Sequence, residues 1–308
     1  MSEGKAFGGS WSIEKLECIE GYLLSYLKVF KNQPWADLWY IDAFSGEGIQ
    51  KLKAGSANAV RSSDETDADE QLAAFTMGSS LRAIEASKRS EEEGMRGFAH
   101  FVFIELDEDK LSALRLRIAD EHPDYLDRCE FLQGDVNEVL PKRLHSIPWE
   151  RARGVAFIDP YATQMEWLTV EAFKGRRCDF WMLFPLSAIM RMLPRSHMPG
   201  DEWAAKLTRV FGDEGWKAVY NEKRQPSLFG DVDPYERESG VNGLLKYATQ
   251  RYEEVFPGVW GPGVLRTTQN SPLFALYAIV PNESEQAIKI SGRIAKHLLN
   301  QIEGTDGP

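Results

Sequence analysis

Two kinds of apolar pattern alternate along the chain. Short apolar runs that are typical of buried strands occur at residues 38–41, 99–106, 129–132, 155–158, 180–183, 264–268 and 273–280. Between most of these runs, apolar residues recur at three- and four-residue steps, which is the spacing of an amphipathic helix. The alternation predicts a doubly wound α/β sheet that is mostly parallel, with helices on both faces.

The ends of the chain are predicted to be helical. Apolar residues at helical spacing over 12–30 indicate a first helix, with Ser12 as its N-cap, and a similar pattern marks a helix at the end of the chain. Asn270-Ser271-Pro272 is a tight connection between the two late strands, which we therefore expect to be antiparallel neighbours, the last strand running against the rest.

The pattern also suggests a division into segments. We predict an N-terminal helical segment (1–35), a sheet core (36–200 and 259–308) and a helical, strand-free insertion at 201–258. A stretch at 49–77 is read as an acidic, flexible insertion, because its part at 62–70 reads SSDETDADE and offers little to bury. A surface loop and a lid over a ligand are both open for that stretch.

Composition narrows the class of protein. The chain has 308 residues, of which 43% are hydrophobic, and a net charge of -11. No apolar run is long enough to cross a membrane, no apolar signal segment opens the chain, and three distant cysteines predict neither a zinc ribbon nor disulfides. We expect a cytoplasmic protein without a metal site. The acidic charge counts against nucleic acid, although basic residues near the fifth strand, among them Arg176 and Arg177, could meet phosphates if they are not simply solvated.

A glycine-rich turn follows the first predicted strand. Asp42 ends that strand, and Gly46 and Gly48 stand one residue apart, so that backbone N–H groups can approach a ligand closely. A dinucleotide fingerprint needs a third glycine, and Lys51 occupies its place, which argues against NAD and FAD. The turn resembles motif I of class I S-adenosylmethionine (SAM) methyltransferases; an ordinary glycine turn is the alternative.

Carboxylates stand at the ends of four predicted strands: Asp42, Glu105, Asp135 and Asp159. In a doubly wound sheet these ends form the ligand crevice, where Glu105 can accept from ribose hydroxyls, Asp135 from the adenine amine, and Asp42 from the cationic amino-acid end of SAM. A turn or helix-start role is the alternative for Glu105 and Asp135. The predicted cofactor-binding residues are Asp42, Phe44, Ser45, Gly46, Gly48, Glu105, Leu106, Asp135 and Val136.

The triplet Asp159-Pro160-Tyr161 is the predicted catalytic group. An acceptor NH2 can donate to the Asp159 carboxylate, while the Tyr161 ring stacks on the base, so that the nitrogen is positioned for methyl transfer. The alternative is a helix start, with Asp159 as N-cap and Pro160 at the first helical position.

A family resemblance covers most of the chain. The sequences YIDAFSGEG, GSSLRA, FVFIEL, FIDPYA, FPLSAIMR and SPLFALYAIV, together with Lys15 in the first helix, resemble the bacterial three-Cys-motif partner proteins (TcmP). The resemblance implies a class I methyltransferase fold with a helical insertion. The family's name also implies a partner protein that carries a three-cysteine motif, which we expect to be an iron–sulfur protein. Ala162 stands where that family often has glycine.

These observations favour a SAM-dependent methyltransferase that acts on an exocyclic amine of a nucleobase in RNA or DNA. Methylation of a protein or a small molecule is open, as is a silent SAM- or nucleotide-binding module that serves a partner protein.

Overall fold

The computed structural model describes residues 10–51, 75–222, 235–237, 239–267 and 269–303. The strands in chain order are β1 (Asp37–Asp42), β2 (Ile49–Lys51), β3 (Phe75–Met77), β4 (His100–Glu105), β5 (Cys129–Gln133), β6 (Ala152–Ile158), β7 (Cys178–Phe184), β8 (Tyr220–Glu222), β9 (Tyr235–Arg237), β10 (Gly258–Arg266) and β11 (Pro272–Val280). The α-helices are α1 (Ser10–Val29), α2 (Ser79–Glu92), α3 (Glu108–Glu121), α4 (Val136–Ser146), α5 (Trp167–Glu171), α6 (Leu186–Arg191), α7 (Asp201–Phe211), α8 (Val241–Val255) and α9 (Glu285–Glu303).

The main sheet has the order β10-β11-β7-β6-β1-β4-β5. Its pairs from β7 to β5 are parallel, and β11 is antiparallel to both of its neighbours. This confirms the predicted fold, a mostly parallel doubly wound sheet with an antiparallel last strand. The chain runs outward from β1 through β4 to β5 and then returns to β6 on the other side of β1. The topological switch point therefore lies between the carboxyl ends of β1 and β6.

Both faces of the sheet are covered by helices. Neighbouring β1 residues alternate between the two apolar layers, so that Trp39 and Ile41 pack in one and Leu38 and Tyr40 in the other. Every residue of β7 is buried. Burial on both faces explains why the central strands read as continuous apolar runs.

Helix α1 begins two residues before its predicted N-cap. Ser12 lies inside the helix and is buried, so the capping prediction for Ser12 is wrong. The helix crosses one face of the sheet beside α9, and the two helices meet over one buried carboxylate: Tyr22 and Ser291 both donate to Oδ2 of Asp179, at 2.7 Å and 2.8 Å.

The described structure adds two short strand pairs to the predicted elements. In the stretch 49–77, β2 pairs with β3 in antiparallel fashion, while residues 52–74, with the acidic run 62–70, lie outside the described residues. In 201–258, α7 and α8 are helical, but β8 pairs with β9, so the strand-free prediction is wrong there. Each of these strands has three residues, too few to show a two-residue period.

The late hairpin is longer than predicted. Strand β10 begins at Gly258 because a register shift between Trp260 and Gly263 lets it pass Gly261-Pro262, which reads as a strand breaker in the sequence. The antiparallel pairing of β10 with β11 is confirmed. Among the described residues, no helix is both long and apolar enough to cross a membrane.

Candidate functional site

The glycine turn after β1 lies against the end of β4. Gly46 has a positive φ of 59°, and its N–H donates to Oε2 of Glu105 at 3.0 Å. The Ser45 N–H donates to the Ile104 carbonyl at 3.0 Å, and the Ser45 hydroxyl donates to the same oxygen. The turn and the predicted ribose acid therefore meet directly at the carboxyl edge of the sheet.

The two glycines of the turn have different surroundings. A Cβ built on Gly46 would meet nothing within 4 Å, so space opens above it. Gly48 is closely packed, because its Cβ would lie 2.8 Å from Leu114 and its carbonyl accepts from the Gly78 N–H at 2.8 Å. Gly46 therefore has open space beside it, whereas Gly48 packs against the start of α2; the predicted contacts of both glycines with the cofactor stay predictions.

Asp42 is fully buried beneath the turn. Its Oδ2 accepts from the hydroxyls of Ser79 at 2.6 Å and Ser80 at 2.9 Å, and its Oδ1 accepts from the Phe44 N–H at 3.3 Å. Burial raises the pKa of Asp42 to about 6, although the bonds from both serines and from Phe44 act against that rise. The structure thus gives the carboxylate partners within the chain, and its predicted contact with SAM stays a prediction.

Glu105 ends β4 without capping the helix that follows. Its Oε1 accepts from the Asp107 N–H at 3.0 Å, and Asp107 itself caps α3. The helix-start explanation for Glu105 is therefore not what the structure shows. Leu106, the next residue, is an apolar side chain that is 59% exposed.

Asp135 ends the turn after β5 and is the N-cap of α4. Its Oδ1 accepts from the Asn137 backbone N–H at 2.8 Å and from Asn137 Nδ2 at 3.1 Å. Within the described chain its Oδ2 accepts no hydrogen bond, so capping leaves one oxygen open at this exposed position. Val136 is buried under it.

Asp159, Pro160 and Tyr161 follow β6 directly, at the switch point. The next helix, α5, begins only at Trp167, so Asp159-Pro160 does not start a helix. Pro160 is buried, whereas the Tyr161 ring is 68% exposed, next to Ala162 with a positive φ of 53°. A left-handed backbone is unfavourable for alanine, and such strain is typical of functional sites.

Lys15 is the partner of Asp159, and we did not predict it as a site residue. Its Nζ forms an ion pair with Oδ2 of Asp159, with 3% of the lysine side chain and 21% of the aspartate side chain exposed. The Trp11 ring lies 5.3 Å from the same Nζ. Helix α1 thus brings a buried cation to the switch point. Lys15 and Asp159 are 144 positions apart in the sequence, so no motif spacing could predict this contact.

Asn137 holds the segment after Tyr161 in place. Its Nδ2 donates to the Gln164 carbonyl at 2.8 Å, and its Oδ1 accepts from the Glu166 N–H at 3.0 Å and the Thr169 hydroxyl at 2.9 Å. The side chain therefore fastens the start of α4 to the 159–166 segment. Its position as the second residue of α4 gave no sequence signal for this role.

Among known proteins, only solved structures were found to be similar to this chain. No family model matches the chain, and no curated protein matches it in sequence. A DUF519 protein from Legionella pneumophila is 12% identical, with 92% of each chain covered and a TM-score of 0.44. The complex of Trm1 from Pyrococcus horikoshii with S-adenosyl-L-methionine is 9% identical, covering 99% of this chain and 79% of that chain, with a TM-score of 0.39.

A third similar structure is the methyltransferase domain of bacterial CtHen1, at 12% identity and a TM-score of 0.37, with 87% of this chain and 99% of that chain covered. All of these TM-scores are low, so we base the function on the site's own residues. Membership of the three-Cys-motif partner family stays a prediction.

Proposed function

We propose that the chain is a SAM-dependent methyltransferase whose acceptor is an exocyclic amine of a nucleobase in RNA or DNA. One observation carries the proposal. At the switch point of the sheet, the Gly46 turn bonded to Glu105 lies on one side of β1, and Asp159 with the exposed Tyr161 ring ends the strand on the other side. Ligands of doubly wound sheets bind at this point.

The residues present fit the cofactor. Each Glu105 oxygen accepts one backbone N–H, which leaves a second lone pair on each for a ribose hydroxyl. The open oxygen of Asp135 suits an adenine amine, and Leu106 offers an apolar face to the ring. Phe44, Ser45 and Val136 shape the walls, and SAM would supply the methyl group on its sulfonium.

The acceptor side depends on Asp159 and Tyr161. A partly buried carboxylate accepts from an amine N–H, which turns the nitrogen lone pair toward the donor, while stacking on the Tyr161 ring fixes the plane of the base. Nucleobases combine a flat face with an exocyclic amine, so they suit this pair of groups.

A second candidate follows from Lys15. Because the Asp159 carboxylate is already paired with a buried ammonium group, the chain could bind SAM without methylating anything and serve as a module for a partner, such as the three-cysteine iron–sulfur protein that the resemblance implies. The two candidates differ in turnover and agree on cofactor binding.

Calorimetry with SAM, S-adenosylhomocysteine and NAD tests the cofactor. We expect both SAM compounds to bind and NAD not to bind. Glu105→Ala should weaken SAM binding by about 1–3 kcal/mol, because ribose hydroxyls lose their acceptor, whereas Glu108→Ala, on the exposed first turn of α3, should leave it unchanged. Binding of NAD without SAM would contradict the proposal.

Radiolabelled methyl transfer to total RNA, DNA and protein then tests the acceptor. Label in nucleic acid supports the amine methyltransferase, and label in protein alone overturns the nucleobase assignment. SAM binding without label in any fraction favours the silent module.

A further inference from the structure

A cleft of about 420 Å³ opens at the end of the sheet opposite the glycine turn. It lies between the C-terminal end of α1, the N-terminal end of α9 and the first residues of β6 and β7. Its walls include Tyr26, Phe30 and Ile290, and Trp35 stands at its edge with 46% of its surface exposed. The volume falls in the range of pockets that bind small organic ligands.

Two arginines meet in this cleft. Gly154 is paired with Cys178 in the parallel sheet, so Arg153 and Arg177, one residue earlier on each strand, lie side by side on the same face. Their guanidinium groups donate to the carbonyls of Ala152 at 2.7 Å and Glu150 at 3.0 Å. In the described part of the chain neither arginine forms an ion pair.

The two charges are unfavourable for each other. Burial and the charge of Arg177 lower the pKa of Arg153, whose guanidinium also lies 4.6 Å above the Trp35 ring. In a chain with a net charge of -11, two adjacent arginines that form no ion pair among the described residues favour an anion beside them.

The N-terminal end of helix α9 adds to the positive electrostatic potential of the two arginines. Its first turn lines the cleft through Gln286 and Ala287, and the preceding Asn282 and Ser284 lie on the rim. A helix of 19 residues has a partial positive charge at this end, where the Ala287 N–H donates to the Ser284 hydroxyl. The arginines and the helix end thus favour a group with several anionic oxygens.

The cleft also holds a buried acceptor. Asp179 lines it, two residues along β7 from Arg177 and on the same face. Tyr22 and Ser291 both donate to its Oδ2, while Oδ1 accepts no hydrogen bond within the described residues. An N–H or O–H donor of a ligand would find this oxygen about two strand residues, roughly 7 Å, from the arginine positions.

We propose that the cleft is a binding site for a nucleoside monophosphate, separate from the crevice at the carboxyl edge. Arg153, Arg177 and the start of α9 hold the phosphate, the ring lies against Trp35 and the apolar wall, and Asp179 accepts from a hydroxyl or amine of the nucleoside.

Calorimetry with adenosine 5′-monophosphate (AMP) tests the site, with S-adenosylhomocysteine present at saturation to occupy the crevice. We expect AMP to bind under this condition, and adenosine or inorganic phosphate alone to bind at least about tenfold more weakly, because each lacks half of the contacts. Arg177→Ala should weaken AMP binding about tenfold or more.

Two variants serve as controls. Arg115→Ala removes an arginine that also lies over an aromatic ring, that of Phe131, outside the cleft, and Glu105→Ala alters the crevice. Neither should change the affinity for AMP, and melting curves confirm that each variant is folded. The proposal is overturned if AMP does not bind at millimolar concentration, if Arg177→Ala binds it as tightly as the wild type, if S-adenosylhomocysteine or Glu105→Ala abolishes binding, or if phosphate alone binds as tightly as AMP.

Discussion

Lys15 and Asp159 give each other a role that neither has alone. Without Asp159 the lysine would be a buried, unpaired cation. Without Lys15 the negative charge of the Asp159 carboxylate would have no counterion. A pair of this kind can be purely structural, or it can hold the carboxylate where an amine must be bound. Substitutions separate the two roles.

If Asp159 positions an acceptor amine, Asp159→Ala should slow single-turnover methyl transfer about 100-fold or more and leave SAM affinity nearly unchanged, since small misplacements of reacting groups have effects on that order. Tyr161→Ala should weaken acceptor binding, whereas Tyr161→Phe keeps the stacking face and should be mild.

Stability supplies the control. Lys15→Met and Asp159→Ala should each destabilise the fold by roughly 1–3 kcal/mol, because each leaves a buried partner unpaired. The double variant should regain much of that loss in a melting curve. If the double variant also regained transfer, Asp159 would be scaffold and the catalytic assignment would be wrong.

Asp42 makes stability depend on pH. Burial raises its pKa to about 6 in the folded protein, and in the unfolded chain the group has its ordinary value near 4. Between these values the folded state keeps a proton that the unfolded state has lost. The stabilisation is therefore complete below about pH 4 and is lost as the pH rises to about 6.

Asp42→Asn, which cannot titrate, reveals this contribution by comparison. From pH 4 to pH 7 the wild type should lose about 1–3 kcal/mol of unfolding free energy relative to the variant. Denaturant titrations at several pH values measure it, and the other carboxylates are common to both proteins. A constant difference, or one of the opposite sign, would contradict the raised pKa.

At the residue scale, positions were easier to predict than partners. An apolar run that ends in a carboxylate places that carboxylate at the edge of the sheet, and Asp42, Glu105 and Asp159 all lie there. Their partners come from distant elements: Ser79 and Lys15 approach through packing of α2 and α1. Hydrophobic periodicity carries no information about such side-chain contacts.

At the scale of elements, the 159–166 segment depends on helix α4. Asn137→Ala removes the bonds to Gln164, Glu166 and Thr169, and it should lower stability by about 1–3 kcal/mol, because three hydrogen bonds are lost, two of them part-buried. Hydrogen exchange should become faster in 160–170. If stability did not fall, or if it fell without faster hydrogen exchange in 160–170, the segment would be held by packing and not by the Asn137 hydrogen bonds.

The same segment contains the strained Ala162. Ala162→Gly should be neutral or should stabilise the protein by up to about 1 kcal/mol, since glycine adopts positive φ without a steric penalty. Thermal unfolding checks it, and Thr163→Gly, one residue along, should instead destabilise. A loss in Ala162→Gly would mean that the methyl group is needed for packing.

Very short strands are difficult to predict from a sequence, because three residues are too few to show an alternating apolar pattern. The long helices and the buried strands follow from their spacing, whereas β2, β3, β8 and β9 are defined by pairing across an intervening segment. Gly261-Pro262 had a different effect: it hid the first part of the nine-residue β10, residues 258–263, because a breaker signal in the sequence does not reveal the bulge that accommodates it.

At the scale of the whole molecule, the buried Tyr22 hydroxyl links α1 to the sheet through Asp179. Tyr22→Phe should lower the unfolding free energy by about 1–2 kcal/mol, because Asp179 keeps only Ser291 as a donor. Tyr26→Phe is the matched control one turn later, since the Tyr26 hydroxyl makes no hydrogen bond in the described chain. Denaturant unfolding of both variants measures the difference, and equal losses would show that the bond contributes nothing specific.

The fold itself was predictable because the central strands of the sheet are buried on both faces, whereas each connecting helix is buried on one. The order of these patterns fixes a parallel sheet, and only the last hairpin, with its tight connection at Asn270-Ser271-Pro272, reverses direction. The cleft beside Arg153 was not predictable, because Arg153 and Arg177 meet only once β6 and β7 are in register.

Helix α1 has a further consequence, for the order in which the chain is made. It is synthesised before β11 and α9, and it packs against both: Trp11 lies 4.9 Å from the Phe274 ring of β11, and Tyr22 shares Asp179 with Ser291 of α9. A nascent chain on the ribosome must therefore leave the part of α1 that contacts α9 uncovered until α9 has emerged. Fragments that end before α9 leave this part of α1 and β11 exposed together, which makes premature termination a route to aggregation for this protein.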